Sequence, residues 1–262
     1  ISNTNSITVM KTLTILTILF LTFSSVYTHD IENINVNATS GSSGIKYSTL
    51  KAAIDAINAG THRGDITIQV LDSTSESSAI TLSASGGSAS YTSILIYPTV
   101  ENLMMGGTVS GNLFSFNGAD NVTIDGRVNQ TGAANLTISN YSTSSSASTF
   151  NFYNDAQNNT IKYTYVRGSS TNTSGGVIYF GSGSVSGNDN NTIDNCYIRE
   201  IGSNKPRFLI YSAGTNSKEN SGNTISNNNI FCFGGGTTNA GIYLYSYTTT
   251  WVITGNSFYQ DD

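Results

Sequence analysis

The chain has 262 residues, only 10% of them charged, and a formal net charge of −5. Gly, Ser, Thr and Asn dominate, and no Lys/Arg cluster exceeds two within three residues. The electrostatic footprint of a nucleic-acid binder or a basic membrane-surface binder is therefore missing.

The first element in chain order is an address. Met10-Lys11 precedes an apolar run, Leu13 to Phe23, broken only by threonines, and then Ser24-Ser25. This reads as a secretory signal peptide over residues 10–28. The run is well short of the roughly 20 residues of a membrane-spanning helix, so no transmembrane segment is expected in the mature chain. Residues 1–9 read as upstream sequence outside the protein. Residues 29–262 then form one β-rich domain, secreted or displayed at the cell surface.

The second element is YSTLKAAIDAINAG (47–60). Leu50, Ala53, Ile54 and Ile57 recur at helical spacing on one face, with Ser48 as N-cap and Gly60 as stop. A capping helix over about 48–59 is expected. The segments ITIQVLD (66–72), AITLSAS (79–85), TSILIYP (92–98) and LFSFNGADNVTID (113–125) follow. They alternate with period 2 and read as strands.

From about residue 110 the chain repeats itself. NNTIDNCYI (190–198) returns 32 residues later as GNTISNNNI (222–230), with weaker copies at NNTIKYTYV (158–166) and WVITGNSF (251–258). The anchors are Ile124, Ile138, Ile161, Ile193, Ile225 and Ile253. A second strand family, FNFYN (150–154), GVIYF (176–180), FLIYS (208–212) and GIYLY (241–245), lies between them. The leg from Ile161 to Ile178 is 17 residues, as are those from Ile193 to Ile210 and from Ile225 to Ile242, while the return leg varies. One registered side and one variable side are what stacked coils produce. The fold class expected is all-β, a right-handed parallel β-helix with an N-terminal amphipathic capping helix. Asn159, Asn191, Asn195, Asn223 and Asn227 fall at strand ends, where left-handed corners and stacked amides are expected. The chain stops at QDD in mid-rung and reads as a fragment of something longer.

Cys196 and Cys232 sit four positions out of step in neighbouring coils and read as free thiols. With only His29 and His62 as histidines, no metal site is expected.

The helix, the NGADNVTIDG segment and the NNTI and GNTISNNNI rungs together resemble secreted β-helix proteins of the pectin-lyase-like superfamily. More narrowly, they resemble the N-terminal β-helix regions of surface proteins from Bacteroidota that use type IX secretion. The resemblance covers residues 31–262. It implies the fold, and it implies two classes of function: a structural or adhesive surface module contacting polysaccharide, or a polysaccharide lyase or glycoside hydrolase. Members of the second class work with clustered Asp and Arg, and calcium is implied only in the lyase case.

The catalytic candidates are Asp125 and Arg127, with Asp120 nearby, and Asp194, Arg199 and Glu200. Asp125 and Asp194 hold one place after the TI pair. With Ser139 and Lys162 between them in the stack, they would be too far apart to work as an acid/base pair, so they read as solvated surface carboxylates. The ligand-binding candidates are Tyr153, Tyr179, Tyr211 and Tyr243, taken as an outward ladder that could receive sugar rings or a partner surface. The competing reading is ring stacking that merely stabilises the sheet. Thr123, Thr137, Thr160, Thr192 and Thr224 form a single rank. Ice-binding solenoids carry two, so hydroxyl stacking is the preferred reading.

Overall fold

The computed structural model describes residues 32–234 and 237–261. The signal peptide, the upstream residues and His29 lie outside the described residues.

The chain winds into a parallel β-solenoid of about six turns. Each turn crosses three sheets. The first stacks Ile45–Tyr47, Ile34–Gly41, His62–Val70, Ser90–Pro98, Val122–Asp125, Thr160–Lys162, Thr192–Asp194, Thr224–Ser226 and Val252–Thr254 in that order. The second runs from Thr74–Ser75 through Leu103–Gly107, Leu136–Asn140, Thr164–Gly168, Tyr197–Glu200 and Asn229–Phe231 to Ser257–Tyr259. The third runs from Ile80–Ser83 through Asn112–Asn117, Ser148–Tyr153, Ile178–Phe180 and Phe208–Ser212 to Ala240–Leu244. The parallel stacking begins at His62–Val70, well before residue 110, while Ile34–Gly41 pairs antiparallel with both Ile45–Tyr47 and His62–Val70.

Period-2 alternation sends every second side chain inward. Ile68, Ile96, Ile124, Ile161, Ile193 and Ile225 stack in register without solvent exposure. In the third sheet Phe116, Phe152 and Phe180 form an interior stack with centroids 4.5 and 4.6 Å apart. Burying side chains of this size stabilises by about 1.5–3 kcal/mol each.

Two register readings need correction. Ile138 and Thr137 belong to the second sheet, where Ile138 pairs with Met105 and Val166, so the TI column runs directly from Ile124 to Ile161. In the third sheet Phe150, not Phe152, pairs with Ile178. The constant 17-residue leg holds an entire second-sheet strand that the isoleucine anchors alone did not reveal.

The helix spans Leu50–Asn58 and buries Leu50, Ala53, Ile54 and Ile57, packing against Ile80–Ser83. Its N-cap is Thr49 rather than Ser48: the Thr49 hydroxyl accepts from the Ala52 N–H at 3.1 Å. Buried Glu76 also accepts from the Leu50 and Lys51 N–H groups at 2.9 and 3.2 Å. A carboxylate at this end offsets the helix dipole as well as the unpaired donors.

The corners explain the repeated phrase. Just before each first-sheet strand from Val122–Asp125 onward a residue takes a left-handed conformation: Asn121, Asn158, Asn190, Gly222 and Thr250, with φ between 56° and 65°. In the three coils from Asn158 to Gly222 the next residue is a buried asparagine that bonds to its twin: Asn159 Nδ2 donates to Asn191 Oδ1 at 2.9 Å, and Asn191 Nδ2 to Asn223 Oδ1 at 3.1 Å, whereas Val122 and Trp251 hold this place in the flanking coils. Thr then faces out and Ile in. After one more outward residue a second left-handed corner follows, at Tyr163, Asn195, Asn227 and Gly255. The left-handed geometry expected at Asn195 and Asn227 is present. At Asn159, Asn191 and Asn223 it falls on the preceding residue instead.

The second corner has its own ladder, in which Asn228 Nδ2 donates to Asn256 Oδ1 at 2.9 Å and to Ile193 O at 2.9 Å. Cys196 stands one coil earlier in the same column. Its N–H donates to Asn228 Oδ1 at 2.8 Å, and its thiol lies 3.5 Å from Ile161 O, the carbonyl an asparagine would engage there. Both cysteines are free and buried, and burial pushes the Cys196 thiol up to about 12. A third ladder joins Asn188 to Asn220 at 3.0 Å.

Two substitutions test the ladders by urea denaturation. Asn191→Ala removes the acceptor of two Asn159 N–H groups and the donor to Ala156 O, and should destabilise by about 2–3 kcal/mol. Cys196→Asn completes the second ladder and should stabilise by about 1 kcal/mol.

Candidate functional site

The solenoid presents three outward faces, and the candidate residues distribute over all of them. On the first sheet Asp125, Lys162, Asp194 and Ser226 stand in one column. Lys162 alone separates the two aspartates, and Ser139 lies in the second sheet. Their backbones are thus two strand steps apart, about 10 Å at the usual spacing of roughly 4.8 Å. That is closer than the sequence reading placed them.

Neither carboxylate is free to exchange a proton near neutrality. Asp125 is buried, which disfavours its charge. The Arg127 guanidinium outweighs this with bonds of 2.9 and 2.6 Å, aided by Lys162 at 3.5 Å, and holds the carboxyl below its ordinary value. Asp194 is partly desolvated too. The Ser226 hydroxyl at 2.6 Å and the amides of Asn227 and Asn195 at 3.0 and 2.6 Å lower it in turn. Arg127 lies over the Tyr163 ring at 4.1 Å. These contacts make a clasp, not an acid/base pair, and Asp125 is buried rather than the solvated surface carboxylate expected. Asp120 is different: burial raises its carboxyl, but Oδ1 already accepts the Gln157 N–H at 2.7 Å.

Arg199 and Glu200 pair with each other at 2.7 Å on the second sheet, and Arg199 also reaches Asp261 at 3.7 Å. The Arg199 guanidinium sits 4.5 Å over Phe231, which stacks on Tyr259. Among the described residues no group of three His, Cys, Asp or Glu could hold a metal ion. His62 is spent on the Tyr47 hydroxyl and Ser42 O.

On the third sheet the ladder is shorter than expected. Tyr179, Tyr211 and Tyr243 are in register, but Asn151 and Ser115 hold the preceding positions. Tyr153 stands two residues out of register, opposite Asn117. The tyrosine faces are also largely used within the protein. Tyr211 is 4% exposed, with Tyr179 against it edge-on at 5.8 Å and Phe208 at 5.3 Å. Phe208 stacks in turn on Tyr243 at 4.8 Å. Burial raises the Tyr179, Tyr211 and Tyr153 hydroxyls. This is the sheet-stabilising arrangement more than an open platform. The threonine rank on the first sheet consists of Thr123, Thr160, Thr192 and Thr224, bounded by Leu95 and Val252.

The second sheet carries the open concavity. A cleft of about 540 Å³ lies over it, between Asn102 and Met104, the Ala133–Asn135 segment, Thr137, Tyr165 and Arg167. Thr137 stacks between Met104 and Tyr165, and Tyr165 stacks on Tyr197 with centroids 4.7 Å apart. Arg167 and Arg199 align one step along. The signal was present in the sequence as Tyr165-Val-Arg167 and Tyr197-Ile-Arg199, 32 residues apart. It is masked in the sequence by the stronger isoleucine anchors and third-sheet tyrosines.

No family model, curated protein or solved structure matches the chain. Among the described residues no helix is long and apolar enough to cross a membrane.

The Asp125 clasp sets a pH dependence. A carboxyl lowered in the folded state contributes stability above its unfolded value of about 3.9, and that stability is lost as pH falls through the folded value. Asp125→Asn should therefore cost about 2 kcal/mol at pH 7. The gap between the two proteins should close below pH ~4 in urea-denaturation midpoints.

Proposed function

We propose that the chain is a secreted, surface-displayed, non-catalytic β-helix module that contacts carbohydrate in the second-sheet cleft. The observation that carries this reading is the cleft itself, walled on one side by Tyr165, whose ring is backed by the stacked Tyr197. Its volume lies within the range of ordinary ligand sites, about 300–1,000 Å³. Tyrosine rings offer a flat apolar face and a polar edge, the combination a sugar ring needs. The strands behind them, Leu103–Gly107, Leu136–Asn140 and Thr164–Gly168, pair in continuous parallel register, so little order has to be acquired on binding.

The non-catalytic part rests on the carboxylates. None lines the cleft. Asp125, Asp194 and Glu200 are each held below their ordinary values by hydrogen bonds and cations, and Asp120, the candidate that burial raises, lies outside the cleft with Oδ1 engaged by the Gln157 N–H. Calcium and other cofactors are not part of this reading. Relative to the sequence reading, the proposed contact moves from Tyr153, Tyr179, Tyr211 and Tyr243 to Tyr165, with Tyr197 stacked behind it.

The test is retention on immobilised polysaccharides, with product release scored in the same samples. Tyr165→Ala/Tyr197→Ala should lose retention at least tenfold with an unchanged circular dichroism spectrum. Tyr179→Ala should leave retention intact. Release of reducing or unsaturated sugar by the unmodified protein would replace this reading with the enzyme.

A further inference from the structure

The cleft is electrostatically asymmetric. Its lining contains one charged group, Arg167, in a protein of net charge −5. Glu101 precedes Asn102 in the chain and is exposed, but it is not part of the lining. Among the described residues Arg167 makes no ion pair. Arg199, one coil away, is neutralised by Glu200 and Asp261. Arg167 is nevertheless not loose, since its Nε donates to Glu200 O at 3.2 Å. That bond anchors Nε and leaves both terminal nitrogens without a partner among the described residues. An uncompensated, pre-oriented guanidinium is a receptor for an oxyanion.

The polar groups around it point the same way. The side chains of Asn102 and Thr137 and the hydroxyl of Tyr165 line the cleft and make no hydrogen bond among the described residues. They stand on three successive coils, with Met104 and Ala134 supplying apolar wall between them. A planar carboxylate would be satisfied by the guanidinium fork alone. Donors arriving from several neighbouring strands suit an anion with three acceptor oxygens.

We propose that the cleft selects a sulfate-bearing saccharide. Arg167 takes the sulfate ester without a divalent cation, and Tyr165 takes the ring that carries it. This inference rests on the carbohydrate reading above and adds the charge of the ligand to it.

The experiment measures binding of three probes to residues 31–262 by calorimetry: sulfated dextran oligosaccharide, unsulfated dextran of the same length and oligogalacturonate. Each is run with and without EDTA, on the unmodified protein, Arg167→Gln and Arg167→Lys. The expected result is binding of the sulfated probe at least tenfold tighter than the other two, unchanged by EDTA. Arg167→Gln should lose that preference, and Arg167→Lys should keep part of it. Folding of each variant is checked by its urea midpoint. Equal binding of sulfated and unsulfated dextran, insensitive to Arg167→Gln, would overturn the anion proposal while leaving carbohydrate binding in place. Tighter binding of oligogalacturonate would also overturn it, in favour of a carboxylate ligand. No binding of any probe would overturn both readings.

Discussion

The solenoid depends on what happens to buried amides at its corners. A coil of about 30 residues must turn sharply several times, and each turn leaves backbone N–H and C=O groups inside the protein. Such groups cost about 1–3 kcal/mol apiece if left unpaired. Asparagine solves this with one side chain. Asn191 accepts from the backbone and side chain of Asn159, and donates to Ala156 O and to Asn223 Oδ1. Because each amide is completed by its twin in the next coil, the corner is satisfied only if the coils stand in register. The isoleucine and phenylalanine columns then follow.

A lattice registered at its corners frees the outward positions. The columns Asp125–Lys162–Asp194 on the first sheet and Tyr179–Tyr211–Tyr243 on the third show two uses of that freedom, a charge clasp and a ring stack. Both are largely self-satisfied. The second sheet differs because the Ala133–Asn135 segment folds over it and leaves a cleft rather than a flat face. There the rings and the guanidinium are held by the scaffold without being consumed by it. Loops that vary from coil to coil build such a cleft, while the registered side keeps it stiff.

The architecture was legible because its code is local and repeated. The phrase NNTI-x-N names a left-handed residue, a ladder amide, an outward hydroxyl, an inward isoleucine, an outward position and a second left-handed corner, in order. The helix was legible for a similar reason, since Leu50, Ala53, Ile54 and Ile57 mark one face, although Thr49 and not Ser48 caps it. The register was harder. Ile138 mimics a first-sheet anchor but sits in the second sheet, and FNFYN fits two alignments that differ by two residues. Alternation is preserved under a shift of two, so periodicity alone cannot choose between them. That shift is what placed Tyr153 in the tyrosine ladder.

By itself the sequence determined the stacked-coil fold, the position of the helix, the corner asparagines and the inward isoleucines, because each is specified by neighbours within a few residues. Tertiary structure alone decided which outward side chains remain available. Tyr211 is closed off by Phe208 and its neighbouring rings. Asp125 is closed by Arg127, and Arg199 by Glu200 and Asp261. Arg167, with the same spacing in the chain as Arg199, is left open. The difference lies in which groups neighbouring coils and loops bring within about 4 Å, the range over which ion pairs and apolar contacts form. No spacing along a single coil encodes that.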